Sequence, residues 1–518
     1  MCSYRTDLYF TWTKWITKKF NLYKNNRMNI LKNYINGAWK DSTSKQTIDV
    51  VNPADQSVLA KVPFGSETKK DVDQAVAAAQ NAYNEWHKVP VMKRVQVLYR
   101  LKSLLEVNME ALAKIITEES GKTKAESYGE IQRAIENVEV ACGTPMLIAG
   151  DVIEDIATGI DEMMIRQPLG VAACITPFNF PSMIVFWFLP YAIATGNAFI
   201  VKPSEKVPLT MMKIFELLDQ LDIPKGLVSL VHGGKDSVDA ILEHPKIKAI
   251  SFVGSTPVAR YIYSKGTANG KRVQAQGGAK NPVVILPDSD IEMSTKIIAD
   301  SVYGCAGQRC LAASTIITVG DHKREIKDAL YATIKSRTTG YGWDDAISMG
   351  PVITPESKNR IEGLIQKGVD EGAKLLLDGR KASIPGFEKG NFITPTILEN
   401  VALDKELIHT EIFGPVMSLL SMATIDEALA FVNSGNYGNM ACLFTGSGAN
   451  ARRFRNEADA GNIGINIGVA APMAQFPFSG WKDSFFGDLH GQGKHAIEFF
   501  TQTKVIIERW PNIWSRKF

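Results

Sequence analysis

Ala249-Ile250-Ser251-Phe252-Val253-Gly254-Ser255-Thr256-Pro257 reads as a short apolar strand that ends in a glycine turn and passes into a helix. Small, β-branched and aromatic residues suit the strand, Ser255 suits an N-cap, and Pro257 suits the first helical turn. The free backbone N–H groups of such a turn, with the Ser255 hydroxyl, could hold a pyrophosphate; the same residues could equally form a plain helix cap. No GxGxxG follows a strand, so the ordinary dinucleotide fingerprint is missing. Working outward, the runs Val171–Ile175, Ala198–Val201 and Val228–His232 alternate with helical patterns, the βαβ rhythm of a parallel sheet in an α/β protein.

Further upstream, Tyr34–Trp39 reads as the start of a small hairpin turned by Asn36-Gly37. Helical periodicity covers Lys69–Trp86, Val91–Glu118, closing near Gly121, and Thr123–Ala141. A second α/β block opens at Pro282-Val283-Val284-Ile285-Leu286 and continues past Phe413. The tail Glu498–Ile507 alternates weakly and reads as an edge strand that a neighbouring subunit could take up.

The chain has 518 residues and needs two or more cores. A formal charge of +3 gives no case for nucleic-acid binding. The longest apolar run, Met183 to Ala194, is broken by Pro190 and falls short of the about 20 residues a membrane span needs, so it reads as a buried helix. Six cysteines lie without CxxC pairs or His-Cys clusters, which argues against metal or disulfides and fits a reducing compartment. Residues 1–27 carry Arg5, Lys14, Lys18, Lys19, Lys24 and Arg27 against Asp7 alone. They read either as a mitochondrial presequence or as an extension upstream of a folded protein opening at Met28. The first places the chain in the mitochondrial matrix, the second in the cytoplasm.

Two segments carry chemistry. In Gly304-Cys305-Ala306-Gly307-Gln308-Arg309-Cys310, a thiol sits among small residues beside a guanidinium, surroundings that let a thiolate form and an aldehyde reach it. In Gln276-Gly277-Gly278-Ala279-Lys280-Asn281-Pro282, the amide of Gln276 cannot take a proton from water. Cys305 reads as packing, as do Cys142 and Cys174.

These segments resemble the aldehyde dehydrogenase superfamily, whose hydrolytic members carry a glutamate where this chain has Gln276. The resemblance implies a modified Rossmann NAD domain, an α/β catalytic domain and a small β oligomerisation arm. It assigns 28–145 and 165–274 to the first, 275–480 to the second, and 146–164 with 481–518 to the arm and C-terminal return. By the same resemblance Cys310 is the nucleophile, and the Asn179 amide, in Thr176-Pro177-Phe178-Asn179-Phe180-Pro181, joins the Cys310 N–H to hold the oxyanion. Thr176, Phe178, Lys202, Glu205, Lys206, Ser255, Gly277, Glu411 and Phe413 become cofactor contacts. Glu205, in Lys202-Pro203-Ser204-Glu205-Lys206, would repel a 2′-phosphate and favour NAD.

Arg309 before Cys310, Arg133 in Gln132–Glu139, and Ala471–Lys482 are similar to the CoA-acylating methylmalonate-semialdehyde dehydrogenase branch, a likeness running from about Tyr34 to Trp510. It implies that Arg133 and Arg309 hold a substrate carboxylate; alternatively Arg133 pairs with Glu130 or Glu136 on its helix and Arg309 supports the thiolate. The implied reaction oxidises a semialdehyde with NAD, loses CO2 from the thioester on Cys310, and passes the acyl group to CoA. Methylmalonate semialdehyde would give propionyl-CoA and malonate semialdehyde acetyl-CoA, in valine, β-alanine or inositol breakdown. Two other readings stand beside it: a hydrolytic dehydrogenase with a different base, and a non-catalytic NAD-binding protein. No metal is implied, and the family forms homotetramers or homodimers.

Overall fold

Five strands, Val171–Ile175, Ala198–Lys202, Val228–Leu230, Ile247–Val253 and Arg272–Gln276, lie parallel in one sheet. Every residue of the first two is buried, as a sheet covered on both faces requires. A computed structural model describes residues 30–510 of the chain; residues 1–27, read above as a presequence or an extension, and Met28, read as the start of the fold, lie outside the described residues. The Asn33–Tyr34/Trp39–Lys40 hairpin adds one antiparallel edge, with Asn36 and Gly37 both at positive φ in its turn. Phe485–Phe486 adds the other edge, against Ala275 and Gln276.

Strand order carries the functional consequence. From Val171–Ile175 the chain steps outward through Ala198–Lys202 to Val228–Leu230, then returns to the opposite side with Ile247–Val253 and Arg272–Gln276. The sheet's switch point therefore lies between Ile175 and Phe252, paired neighbours whose following residues, Thr176 and the Gly254-Ser255 turn, leave side by side. A crevice beyond the carboxyl ends of strands at such a point is where parallel sheets bind ligands.

A second sheet of seven strands has the order Lys374–Leu377, Thr396–Glu399, Val416–Met422, Ala313–Val319, Asn281–Ile285, Met440–Phe444, Asn462–Ile465, parallel except for the first. Its amino-terminal ends carry Asn281, the Cys310 loop, Glu411–Gly414 and Asn439. These face the carboxyl ends of the first sheet, with contacts from Ala279 to Glu411 and from Gln276 to Asn439. A third sheet stands apart: Thr501–Arg509 pairs antiparallel with Ile160–Pro168, which pairs with Asp151–Ala157.

Lys69–Trp86 forms a helix over the residues the periodicity predicts. Thr123–Ala141 is realised as Lys124–Cys142, begun by a capping box in which Thr123 accepts from the Glu126 N–H and the Glu126 side chain accepts from the Thr123 N–H. Four expectations change. Val91–Glu118 is two helices, Val91–Val107 and Met109–Ser120, because Asn108 leaves helical geometry and its side chain donates to the Leu104 carbonyl. Met183–Ala194 is also two, Met183–Phe186 and Leu189–Thr195, with Pro190 in the first turn of the second. The tail strand starts at Thr501, since Gly493–Phe499 is helical. Phe485–Phe486 belongs to the first sheet, whereas 481–518 was expected wholly in the arm and return. Among the described residues, no helix is long and apolar enough to cross a membrane, no His, Cys, Asp and Glu cluster could hold a metal, and five cysteines are free.

The capping box orients the helix that carries Arg133. Replacing Thr123 with Ala removes the side-chain acceptor and is expected to cost about 1 kcal/mol, read as a lower midpoint in urea melts; an unchanged midpoint would show that tertiary packing alone holds the helix start.

Candidate active site

The Cys310 loop begins with a tight reversal. Cys305 and Ala306 both have φ of 52°, and Gly307 follows at 70°. Two non-glycine residues in the left-handed region carry strain that packing must hold in place. At Gly307 a Cβ would lie 2.0 Å from the Gly414 carbonyl oxygen, so only glycine lets the Cys310 loop and the 411–414 segment approach so closely. The Glu126 carboxylate accepts from the Cys305 N–H at 2.6 Å and anchors the reversal from the helix that begins at Lys124.

The backbone around Cys310 is then fixed by side-chain amides. Asn179 Nδ2 donates to the Gln308 carbonyl at 3.0 Å, which sets Asn179 beside the loop and leaves its second N–H uncommitted. Asn281 and Asn439 each donate through Nδ2 to the Cys310 carbonyl, both at 2.8 Å. Gln276 Nε2 donates to Asn439 Oδ1 at 3.2 Å and to the Ser479 carbonyl at 3.4 Å. Sequence reasoning missed Asn281 and Asn439 as functional groups. Asn281 stood inside a quoted motif and could have been found there. Asn439 is 129 residues from Cys310 and gives no local signal.

Burial, and then the charge of Glu411, push Cys310 up to about 12; Arg309 and the N–H groups of Cys310 and Leu311 pull the other way without overcoming them. Burial therefore works against the thiolate in the protein alone.

The cofactor candidates gather at the strand ends. Thr176 is buried and its hydroxyl has no hydrogen-bond partner among the described residues. Ser255 caps the helix Thr256–Ala268 without using its hydroxyl for the cap. Lys202, buried, lies 3.3 Å from the Glu205 carboxylate. Burial works to raise Glu205, but the charges of Lys202 and Lys206 and its hydrogen bonds outweigh it and hold the carboxyl below the usual range. The Lys206 ammonium stands 5.3 Å from the centre of the Phe178 ring, which meets Phe413 edge-on at 5.7 Å. Phe413 itself has φ of 52°. The Gly277 N–H is spent on the Ser484 carbonyl, so this residue offers close backbone approach rather than a donor. Glu411 accepts from the Ala279 N–H at 3.0 Å, and burial pushes its carboxyl up to about 7. Beside it the Lys280 ammonium is buried with no hydrogen-bond partner among the described residues, and burial draws it down to about 7 against the pull of Glu411. A cavity of about 20 Å³ lined by Arg309, Glu411 and Phe413 among others separates the Cys310 loop from this segment.

The two arginines are each engaged with protein partners. Arg133 pairs with Glu136 at 2.9 Å and its guanidinium touches the Met473 sulfur, at the edge of a hollow of about 410 Å³ whose lining includes both partners. The Arg309 guanidinium donates to the Cys305 sulfur at 3.4 Å. A Cβ on Gly304 would lie 2.7 Å from that guanidinium, so Arg309 lies against the loop's own backbone.

Two α/β sheets meet edge to edge around a buried cysteine, and the chain belongs to the aldehyde dehydrogenase family, whose model matches residues 39–506. Malonate-semialdehyde dehydrogenase 1 of Geobacillus thermodenitrificans (strain NG80-2) is 47% identical over 481 residues, covering 93% of this chain and 99% of the relative. The malonate-semialdehyde dehydrogenase of Halalkalibacterium halodurans is 45% identical, with coverage of 93% and 98%. Among solved structures, the Sinorhizobium meliloti 1021 protein assigned as a methylmalonate-semialdehyde dehydrogenase and complexed with NAD superposes with a TM-score of 0.92 at 40% identity, covering 94% of this chain and 99% of that one.

A thiol held near 12 gives a direct prediction. Alkylation of Cys310 by iodoacetamide in the protein alone should rise about tenfold per pH unit, following the thiolate fraction, with no plateau below about pH 10; a plateau near neutral pH would show that the thiolate already exists at rest.

Proposed function

We propose that the protein is a CoA-acylating, NAD-dependent semialdehyde dehydrogenase that converts malonate or methylmalonate semialdehyde to acetyl-CoA or propionyl-CoA. The observation that carries the reading is Gln276: its amide is committed as a donor to Asn439 and Ser479, so position 276 supplies no base for water. An acyl group on Cys310 would therefore wait for a thiol. Relatives named malonate-semialdehyde dehydrogenase support the substrate class.

The residues present fit NAD. The orphaned Thr176 hydroxyl, the uncommitted Ser255 hydroxyl at a helix N-terminus, Lys202, Glu205 and Lys206 beside Phe178, and Glu411 with Phe413 would hold it. NAD, when bound, supplies the hydride acceptor. In the addition step, the Cys310 sulfur attacks the aldehyde carbon while the free N–H of Asn179 and the Cys310 N–H receive the oxyanion. Once the thioester has formed, its β-carboxylate leaves as CO2, the electrons passing into a thioester enolate that protonation quenches. The CoA sulfur then adds to the thioester carbonyl and Cys310 leaves as thiolate, regenerating the nucleophile. Arg309, one residue from Cys310, is assigned to the substrate carboxylate; Arg133 joins it only by giving up Glu136.

The arm leaves Val152, Ile153, Val505 and Ile507 exposed, which supports self-association as a homodimer or homotetramer. The free, buried cysteines support a reducing compartment.

The test is steady NADH formation from malonate semialdehyde with and without CoA. Sustained turnover should require CoA and yield acetyl-CoA with CO2, and Cys310→Ala should abolish it; free acid formed as fast without CoA would favour a hydrolytic enzyme instead. A second expectation follows from Glu411. Its carboxyl is neutral below about pH 7 and charged above, and only the ionised form accepts two ribose hydroxyls. The KM for NAD should therefore rise as pH falls through about 7, and Glu411→Gln should flatten that dependence; a KM independent of pH in the native protein would remove Glu411 from the ribose.

A further inference from the structure

The hydrogen bonds around Cys310 run in one direction. Its carbonyl can only accept, so the Asn439 end that faces it must be Nδ2, at 2.8 Å. Asn439 Oδ1 is thereby turned to position 276, where Gln276 Nε2 meets it at 3.2 Å. The same nitrogen faces the Ser479 carbonyl at 3.4 Å, a second group that can only accept. Packing fixes the arrangement, since a Cβ added at Gly480 would lie 2.7 Å from that nitrogen. Gln276 and Asn439 are both buried, 4% and 1% exposed, so neither amide can turn to water instead.

We infer that Asn439 is a specificity-determining residue that chooses thiolysis over hydrolysis by requiring a hydrogen-bond donor at position 276. The inference rests on the reading of Cys310 as the acylated nucleophile. A carboxylate placed at 276 would face two oxygens with no hydrogen between them. It has two ways out. It can keep its proton, donating as Gln276 does, and then it cannot take one from water. Or Asn439 can reverse its amide to donate to the carboxylate, which sets Oδ1 against the Cys310 carbonyl and leaves Asn281 as the one side-chain donor to that carbonyl. Hydrolysis needs the first escape closed and the second unnecessary. Water oxygen must bond to the thioester carbon, one water proton must pass to the base, and the C–S bond must break to release the Cys310 thiolate. Positions 276 and 439 therefore act as a pair, and at neutral pH the chemistry of the acyl acceptor cannot be changed at one alone.

The experiment compares the native enzyme, Gln276→Glu, Asn439→Leu and the double variant. Each receives malonate semialdehyde and NAD with and without CoA, and acetate and acetyl-CoA are measured from about pH 6 to about pH 9, the range over which a buried carboxyl titrates. Gln276→Glu alone should form acetate without CoA no faster than the native enzyme at neutral pH, with acetate formation appearing only toward the alkaline end. The double variant should exceed the single at neutral pH by about tenfold or more, the rate equivalent of about 1.4 kcal/mol, with its pH profile moved toward acid by at least about one unit. Asn439→Ala with Gln276→Glu repeats the comparison should the leucine fail to pack, and a cooperative urea melt certifies each variant as folded. Equal hydrolysis at neutral pH by Gln276→Glu and either double variant would overturn the inference. Failure of the underlying function shows elsewhere: the native enzyme itself would release acetate without CoA.

Discussion

Two side-chain amides converge on one carbonyl, that of Cys310, and the site is built around that clamp. Asn281 reaches it from the start of a central strand of the second sheet, and its Oδ1 accepts from the Met440 N–H of the neighbouring strand. Asn439 reaches it from the residue just before that neighbouring strand. The Cys310 backbone is thus tied to two strands rather than to its own loop, while the reversal at Cys305 and Ala306 brings the loop to them at the cost of positive φ. A buried carbonyl left without donors would be expensive, and here the two donors also fix position.

From that clamp the remaining properties follow by electrostatics. Enclosing Cys310 raises the cost of its thiolate, and the nearby Glu411 charge adds to that cost. Arg309 is the nearby cation, and it is occupied with the Cys305 sulfur. The cluster of Glu411 and Lys280, both drawn toward neutrality by burial, shows the same tension on the cofactor side. These are costs that a bound cofactor and a charged substrate would relieve, so the resting site is arranged for its ligands rather than for itself.

Much of this was legible in the sequence where the signal is local. Val171–Ile175 and Lys69–Trp86 were bounded by apolar runs and periodicity, and Asn36-Gly37 turned its hairpin because both residues tolerate positive φ. Asn108 was overlooked as a break, and Pro190, seen as an interruption, was still read inside one helix, because the apolar pattern continues through both; a side-chain bond to a carbonyl and a missing N–H decided otherwise. Cys310 and Asn179 were found through motifs, and the structure adds the Gln308 carbonyl that joins them. The upward push of burial on the thiol was not legible, because burial is a property of the assembled sheets. Neither was Asn439, whose partners Gln276 and Cys310 lie 163 and 129 residues away.

On the proposed mechanism an acyl group on Cys310 outlives its formation because position 276 cannot activate water. Intact-mass analysis of the protein quenched at intervals after mixing with malonate semialdehyde and NAD, without CoA, tests this most directly. The acyl group on Cys310 should persist over many turnover times and disappear at once on adding CoA. Loss of that group at the turnover rate in the absence of CoA, with free acid released, would contradict the mechanism.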